Sequence, residues 1–288
     1  MDLSIIIVSW KIREKLKENL KSIYEREILS DGELRFEVFV VDNNSNDGTV
    51  IMVKKEFPKV ILIENNYNAG FAKASNQAIK NAAGDYILLL NPDMRVFPDT
   101  LKNMTGWMKE NKGAGVASCQ LINKDGNNIT NARRFPKIFD QLVIVLKLPH
   151  IFPGVVNKYL MKDFNYNKEQ AADSVRGSFF MIRKEVLDKV GLLDERYFLW
   201  FEEVDYCQKI KKAGYKIMYT PVAKCLDYVG QSFSKLPRSQ AQRYFRDSQL
   251  KYFKKWQPAW QYYLLKLVWP IGLGLTWLGE KMKYKVKS

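Results

Sequence analysis

A single histidine, His150, serves a chain of 288 residues. That scarcity removes a Ser-His-Asp triad, an imidazole zinc cage and most histidine general-base schemes from consideration. Cysteine is nearly as rare: Cys119, Cys207 and Cys225 are odd in number and occur in no Cys-x-x-Cys spacing. Neither a disulfide framework nor a thiolate metal site is expected, and the three read as small apolar fillers in a reducing compartment. Acid is scarce relative to base, with 31 Asp and Glu against 46 Lys and Arg and a formal charge of +15. Such a field suits anionic partners, whether nucleic acid, an anionic membrane face or phosphorylated small molecules. Long apolar runs are lacking too. The stretch 267–278 is broken by Pro270 and glycines and falls short of the roughly 20 residues a spanning helix needs. The opening MDLSIIIVSW carries no basic leader or small-residue cleavage site, so it is expected to be a first strand of a cytosolic chain and not a signal peptide.

What is present suits a globular fold. A hydrophobic content of 47% is too high for disorder, and the length allows an ample core in one large domain or two small ones. Residues 4–9 form an apolar, β-branched run, the mark of a strand buried on both faces. Ile12, Leu16, Leu20 and Ile23 then recur at helical spacing. Strands are expected at 36–41, 60–64 and 86–90, with helices at 49–56 and 72–83. This alternation predicts a parallel, Rossmann-like α/β sheet. Further on, 123–137 reads as a polar hairpin or loop, and 139–152 as a buried or membrane-facing helix. A helix is expected to begin on the acids at 202, and KIMYTPVA at 216–223 to form another strand.

In open α/β sheets ligands bind beyond the carboxyl ends of the strands. Ser9, Asp42 with its Asn neighbours, the NYNAGF loop and Asn91-Pro92-Asp93 all fall there. Each has a plainer local explanation. Asp42 suits an Asx turn, Asn91-Pro92-Asp93 suits a turn, and Glu202, Glu203 and Asp205 suit the positive end of a helix dipole. Their joint placement points to a ligand instead. The chemistry that fits is sugar transfer from a nucleotide diphosphate. Asp93 offers a hard oxygen ligand to magnesium or manganese, and Glu203 a base for an acceptor hydroxyl. Asp42 can meet a pyrimidine N–H, and the helix start after Gly70 can offer backbone N–H groups to phosphate.

The segments SIIIVSW, VVDNNSNDGT, NNYNAGFAKASNQAI, GDYILLLNPD, RGSFFMIRKEVLDKVGLLDERYFLWFEEVDYCQKIKKAGY and VGQSF resemble, in order and spacing, the family 2 glycosyltransferases. The similarity is greatest to a rhamnosyltransferase-like branch of bacterial surface-polysaccharide synthesis. It implies a GT-A fold, a mostly parallel central sheet flanked by helices, with a dTDP- or UDP-linked sugar donor, a divalent cation and inversion at the anomeric carbon. It further implies Ser9, Asp42, Asn44, Asn68, Gly70, Asn76 and Asn91 as donor contacts, and Asp93 as metal ligand. Glu203 becomes the base, with Glu202 and Asp205 as its catalytic neighbours. Gly177, Trp200, Arg133 and Arg134 are the acceptor candidates. Two departures stand out: Glu203 occupies a position where Asp is commoner, and Asp227 one where relatives carry a metal-binding His. Asp227 is expected to replace that ligand; the alternative is a catalytically inactive homologue that binds sugar nucleotide or scaffolds an assembly complex.

The organisation expected is a GT-A domain at 1–230, split near 125 into a nucleotide-sugar half and an acceptor half, and a helical extension at 231–288. The extension mixes Trp, Tyr and Leu with Lys and suits an interfacial anchor on an anionic membrane surface. The alternative is a helical hairpin packed on the domain or on the partner of a homodimer. The chain is thus expected to lie at the cytoplasmic face of the cell membrane, working on a lipid-linked or polysaccharide acceptor. Arg238, Arg243 and Arg246, like Lys73, read singly as solvated charges. A nucleic-acid partner is not expected, because no recognised binding pattern is present and the acids cluster where a phosphate backbone would be repelled.

Overall fold

The computed structural model describes residues 1–27, 34–228 and 237–285. The VGQSF segment at 229–233 lies outside the described residues. The chain opens with β1 (Leu3–Ser9), α1 (Arg13–Glu27), β2 (Phe36–Asp42), α2 (Thr49–Glu56), β3 (Ile61–Glu64), α3 (Phe71–Ile79) and β4 (Tyr86–Leu90). It continues through β5 (Met94–Val96), α4 (Thr100–Glu110), β6 (Ala114–Ile122), β7 (Ala132–Arg133), α5 (Ile138–Val145), α6 (Pro153–Tyr159), β8 (Gln170–Ala172) and β9 (Ser174–Val175). It ends with β10 (Phe179–Arg183), α7 (Lys184–Val190), α8 (Glu202–Lys212), β11 (Lys216–Asp227), α9 (Arg238–Trp256) and α10 (Ala259–Lys285).

The main sheet runs β3-β2-β1-β4-β10-β6-β11-β5, with β8 added to β11. β1 is parallel to both β2 and β4, and β6 to β11, while β10 lies antiparallel between β4 and β6. The two-residue period of the strands fills both faces. Leu3, Ile5 and Ile7 of β1, Val38 and Val40 of β2 and Leu88 and Leu90 of β4 pack with Leu16, Leu20 and Met104 of α1 and α4. Ile6, Phe39, Val41, Ile87 and Leu89 point the other way, onto Ala74, Ala78, Val186 and Tyr206 of α3, α7 and α8.

Helix edges differ from the sequence expectation for local reasons. α1 begins at Arg13 because Lys11 takes a left-handed φ of 54° and Arg13 N–H is capped by Asp47 Oδ2 at 3.2 Å. Residues 123–129 turn back on themselves, with Asn123 N–H on Asn127 O and Ile129 N–H on Leu121 O. Pro270 lies inside α10 and does not end it.

The last two helices pack on the domain. Tyr252, Phe253, Leu265 and Trp269 are buried with Val145, Tyr197, Phe201 and Val204. Ser248 Oγ donates to Leu199 O at 2.8 Å, and Gly272 approaches Val145 so closely that a Cβ would lie 2.7 Å from its carbonyl oxygen. The opposite side of α10 is exposed and apolar, with Trp260 57%, Tyr263 65%, Leu267 75% and Ile271 56% accessible. Among the described residues no helix is long and apolar enough to cross a membrane.

Candidate active site

β1, β2 and β4 end side by side. Ser9 is the register partner of Asp42, and Asn43 N–H donates to Ser9 O at 2.9 Å. Asp42 closes the expected Asx turn, its Oδ2 accepting Ser45 N–H at 3.0 Å. Its buried Oδ1, like Ser9 Oγ, has no hydrogen-bond partner among the described residues. Asn44 and Asn46 take φ of 60° and 52°, a left-handed geometry that Asn tolerates well.

The loop after β3 leans over these ends. Asn43 Oδ1 accepts Asn65 Nδ2 at 2.9 Å, and Asn68 Oδ1 accepts Gly70 N–H at 3.0 Å. Gly70 has φ of 79°, and a Cβ there would lie 2.6 Å from Phe198 O, so only glycine fits. The N–H of Phe71 donates to that same Phe198 oxygen at 2.8 Å. The first amide of α3 is therefore taken by protein.

Four adjoining spaces form the cleft. The first, of about 820 Å³, is bordered by Trp10, Lys11, Arg13, Asn43, Asn44 and Asn68. Asp42 opens instead on a recess of about 260 Å³ beside it, which shares Asn44 and Asn46 with the larger space. A throat of about 90 Å³ between Asn68, Gly70, Phe71, Asn91, Pro92 and Leu199 leads onward. Beyond it lies a chamber of about 350 Å³ lined by Arg133, Gln141, Tyr159, Arg176, Gly177, Trp200, Glu202, Glu203 and Phe245, among others.

Asp93 follows the turn that ends β4. The β5–β11 ladder sets Asp227 opposite Met94, and Tyr228 N–H donates to Asp93 O at 3.2 Å. Two buried carboxylate residues, each 3% exposed, thereby share one corner of the sheet edge. Among the described residues no three His, Cys, Asp or Glu side chains gather into a complete metal cage. Two hard oxygen donors do fit a magnesium or manganese ion that completes its shell with phosphate oxygens and water.

At the chamber, Trp200 and Phe201 take φ of 64° and 66° in succession. Two such residues cost strain, and here they turn the start of α8 so that Glu202 and Glu203 border the chamber. Burial, with the neighbouring Glu203 charge second, pushes Glu202 well above the usual carboxylate range. Glu203 is only half-buried at its surface because it faces the chamber, yet it sits deep enough that burial also raises it, against the pull of Arg133 and Arg176. Oε2 of each carboxyl lacks a hydrogen-bond partner among the described residues. Burial likewise pushes the Tyr159 hydroxyl up to about 12, with Arg133 opposing.

Ser9, Asp42, Asn44, Asn68, Gly70, Asn91, Asp93 and Asp227 thus gather at the strand ends, and Glu202, Glu203, Gly177, Trp200 and Arg133 around the chamber. Three expected site residues lie elsewhere. Asp205 is fully buried and turned toward α9, accepting from Trp256 Nε1 at 2.7 Å and Tyr197 Oη at 3.2 Å and pairing with Lys255 at 2.7 Å. Asn76 pins the loop before α8, donating to Leu193 O at 2.9 Å and accepting Leu193 N–H at 3.2 Å. Arg134 is exposed and borders none of these spaces. Sequence reasoning missed Arg176, Gln141, Tyr159 and Phe245. Only Arg176 left a signal, as a lone charge heading the apolar run GSFFMI.

A cleft at the carboxyl edge of a mostly parallel sheet, with a carboxylate pair facing its inner chamber, fits the GT-A fold. The chain belongs to glycosyl transferase family 2, whose model matches residues 4–191. It is 25% identical over 213 residues to the N-acetylglucosaminyl-diphospho-decaprenol L-rhamnosyltransferase of Mycobacterium tuberculosis, an alignment covering 70% of this chain and 69% of that one. Rhamnosyltransferase WbbL of Escherichia coli is 26% identical over 168 residues, 55% of this chain and 61% of the relative. The solved mannosyltransferase PcManGT of Pyrobaculum calidifontis, in complex with GDP-Man and Mn2+, superposes with a TM-score of 0.60 at 19% identity, over 94% of this chain and 73% of that one. That likeness concerns the fold alone.

Proposed function

We propose that the protein transfers a sugar, with inversion, from a dTDP- or UDP-linked donor to a hydroxyl of a lipid-linked acceptor at the cytoplasmic face of a membrane. The nucleotide lies along the strand ends, Asp42 receiving the base and Asn44 and Asn68 the ribose and phosphates. Asp93 and Asp227 hold a magnesium or manganese ion, which would offset the charge of the departing diphosphate. The anomeric carbon sits in the throat and the acceptor hydroxyl comes from the chamber. Glu203 takes the hydroxyl proton as that oxygen attacks C1 and the bond from C1 to the diphosphate oxygen breaks. Burial raises Glu203 as well as its neighbour Glu202, which makes Glu203 a stronger base than an exposed carboxylate. The observation that carries this reading is the carboxylate pair Glu202 and Glu203 facing a chamber that shares Phe71, Asn91 and Leu199 with the throat at the strand ends. A leaving group and a base on opposite faces of one carbon are what inversion requires.

The rhamnosyltransferase relatives support rhamnose as the transferred sugar, and the diphospho-decaprenol acceptor of the mycobacterial one supports a lipid-linked acceptor here. The apolar outer face of α10, on a chain of charge +15, supports an anionic bilayer as its cover. The test is a melting-temperature screen with UDP-, dTDP- and GDP-sugars, each with and without manganese or magnesium. A shift that needs both a metal and one nucleotide is expected, because a ligand bound only by the native state stabilises it. No shift with any pair would leave an inactive scaffold as the better reading.

A further inference from the structure

The chamber beyond the throat contains two cations, Arg133 and Arg176, whose charges act on Glu203. Arg133 is half-buried, and its guanidinium group acts at longer range on Glu203 and the Tyr159 hydroxyl. Arg176, whose side chain is 25% exposed, has one ionic neighbour, Asp227, at 3.8 Å, beyond hydrogen-bond reach. The short β7–β9 ladder and the bond from Arg176 N–H to Asn131 O set the two backbones two rungs apart. Both side chains line the chamber that Glu203 faces, and neither borders the nucleotide space or the throat. Two half-buried guanidinium groups with most of their donors unspent are costly to keep together unless an anion meets them. The planar fork of arginine matches phosphate oxygens in particular.

We propose that Arg133 and Arg176 form a diphosphate site on the acceptor side of the cleft, holding the phosphates that join the acceptor sugar to its lipid. The inference rests on the glycosyl-transfer reading and adds the anchoring group. The reaction that supplies the acceptor is therefore a transfer of sugar phosphate onto a lipid monophosphate. The apolar walls Ile144 and Phe245 give the first part of the lipid a surface to follow out of the chamber.

The donor also carries a diphosphate, so the experiment must separate the two sources. Affinity is measured for farnesyl diphosphate and inorganic pyrophosphate in EDTA, and for UDP and dTDP with manganese, in the full chain and in Arg133→Gln and Arg176→Gln. Each substitution is expected to weaken farnesyl diphosphate about tenfold or more and the pair to abolish it, the loss of one or two charge-assisted contacts. Nucleotide affinity should change less than about threefold in Arg133→Gln, the cleaner arm because Arg176 lies 3.8 Å from Asp227. Weaker nucleotide binding with unchanged farnesyl diphosphate binding would give the arginines to the donor and overturn the proposal. So would a wild-type protein that binds nucleotide but neither farnesyl diphosphate nor pyrophosphate. Arg133→Lys and Arg176→Lys, which keep charge and lose the fork, give the same reading if a glutamine variant melts early. Nucleotide binding absent under every metal condition would sink the transferase reading itself, while the farnesyl diphosphate measurement still reports on the arginine site.

Discussion

The two sides of the cleft are built by different means. On the nucleotide side, Ser9, Asp42, Asn91 and Asp93 sit at or immediately after three adjacent strands, and the hydrogen-bond ladder fixes their spacing. On the acceptor side, Arg133 comes from a two-residue strand, Tyr159 from a short helix, Glu203 from the start of α8 and Phe245 from α9. These are held by side-chain packing between distant segments. A site made of strand ends changes little without breaking the sheet, whereas one assembled from helices and loops can be reshaped wall by wall. The contrast suits an enzyme family in which one kind of donor chemistry is kept while acceptors differ.

The comparison breaks most sharply at Glu203. Glu203→Gln keeps the shape of the side chain and removes the base. Transfer should fall by about 10²–10⁴-fold, the usual worth of a positioned base, with nucleotide affinity unchanged by titration. Near-normal turnover would move the base elsewhere. In the wild type, kcat/KM should decline as the pH drops through a value above the ordinary glutamate range, because burial raises both carboxyls of the pair.

Next in size is the outer face of α10. Leu267→Glu combined with Ile271→Glu removes two exposed apolar side chains, each worth about 1.5–3 kcal/mol when buried. Binding to vesicles containing anionic lipid should weaken about 100-fold, with unchanged melting temperature and nucleotide affinity. Unaltered vesicle binding together with a lower sedimentation mass would instead assign that face to a second copy of the chain. Removing the whole extension is a poor substitute for this test, because Phe245 lines the chamber and Gln249 Nε2 donates to Gln141 Oε1 at 2.7 Å. Asp93→Ala acts on the opposite side. Donor binding in manganese should weaken about tenfold or more, while farnesyl diphosphate binding in EDTA stays put. Parallel losses in both would show that the two sides are not independent.

The same contrast explains what could be read from the sequence. β1, β2 and β4 are apolar runs ending on polar residues, so the edge they form and the residues at it follow from pattern alone. Asp205 shows where pattern stops. It lies one helical turn beyond Glu202, in an acidic cluster that periodicity cannot divide, and its partners Lys255 and Trp256 come from some 50 residues later in the chain. Asn76 was misleading for the same reason, its partners at Leu193 being 117 residues away. The chamber arginines and Tyr159 could not be grouped at all, because segments as short as β7 and α6 carry too few residues to show a period. The outer face of α10 was legible as an interfacial pattern, and its inner face, buried on Val145, was legible only as the alternative.

The smallest effect expected is a pH dependence at the joint between the chamber and the last helices. Trp269 Nε1 donates to Gln249 Oε1, Gln249 Nε2 to Gln141 Oε1 and Gln141 Nε2 to Asp140 Oδ1, each at 2.7 Å. Asp140 also accepts the N–H of Lys137 at 3.0 Å, yet burial outweighs both bonds and pushes its carboxyl up to about 6. A carboxyl whose folded pKa lies above its unfolded one favours the folded state when protonated. Its contribution is full below the unfolded value of about 4 and is lost as the pH rises through about 6. The wild type should therefore lose on the order of 1–3 kcal/mol from this group between those limits. Asp140→Asn, which still accepts from Lys137 and never ionises, should lose none of it. The check is urea unfolding of both proteins at pH 4.5 and 7.5: the variant should gain on the wild type at the higher pH. Equal differences at both would mean that Asp140 ionises freely in the fold, and that the chain from Trp269 to the chamber ends on a solvated charge.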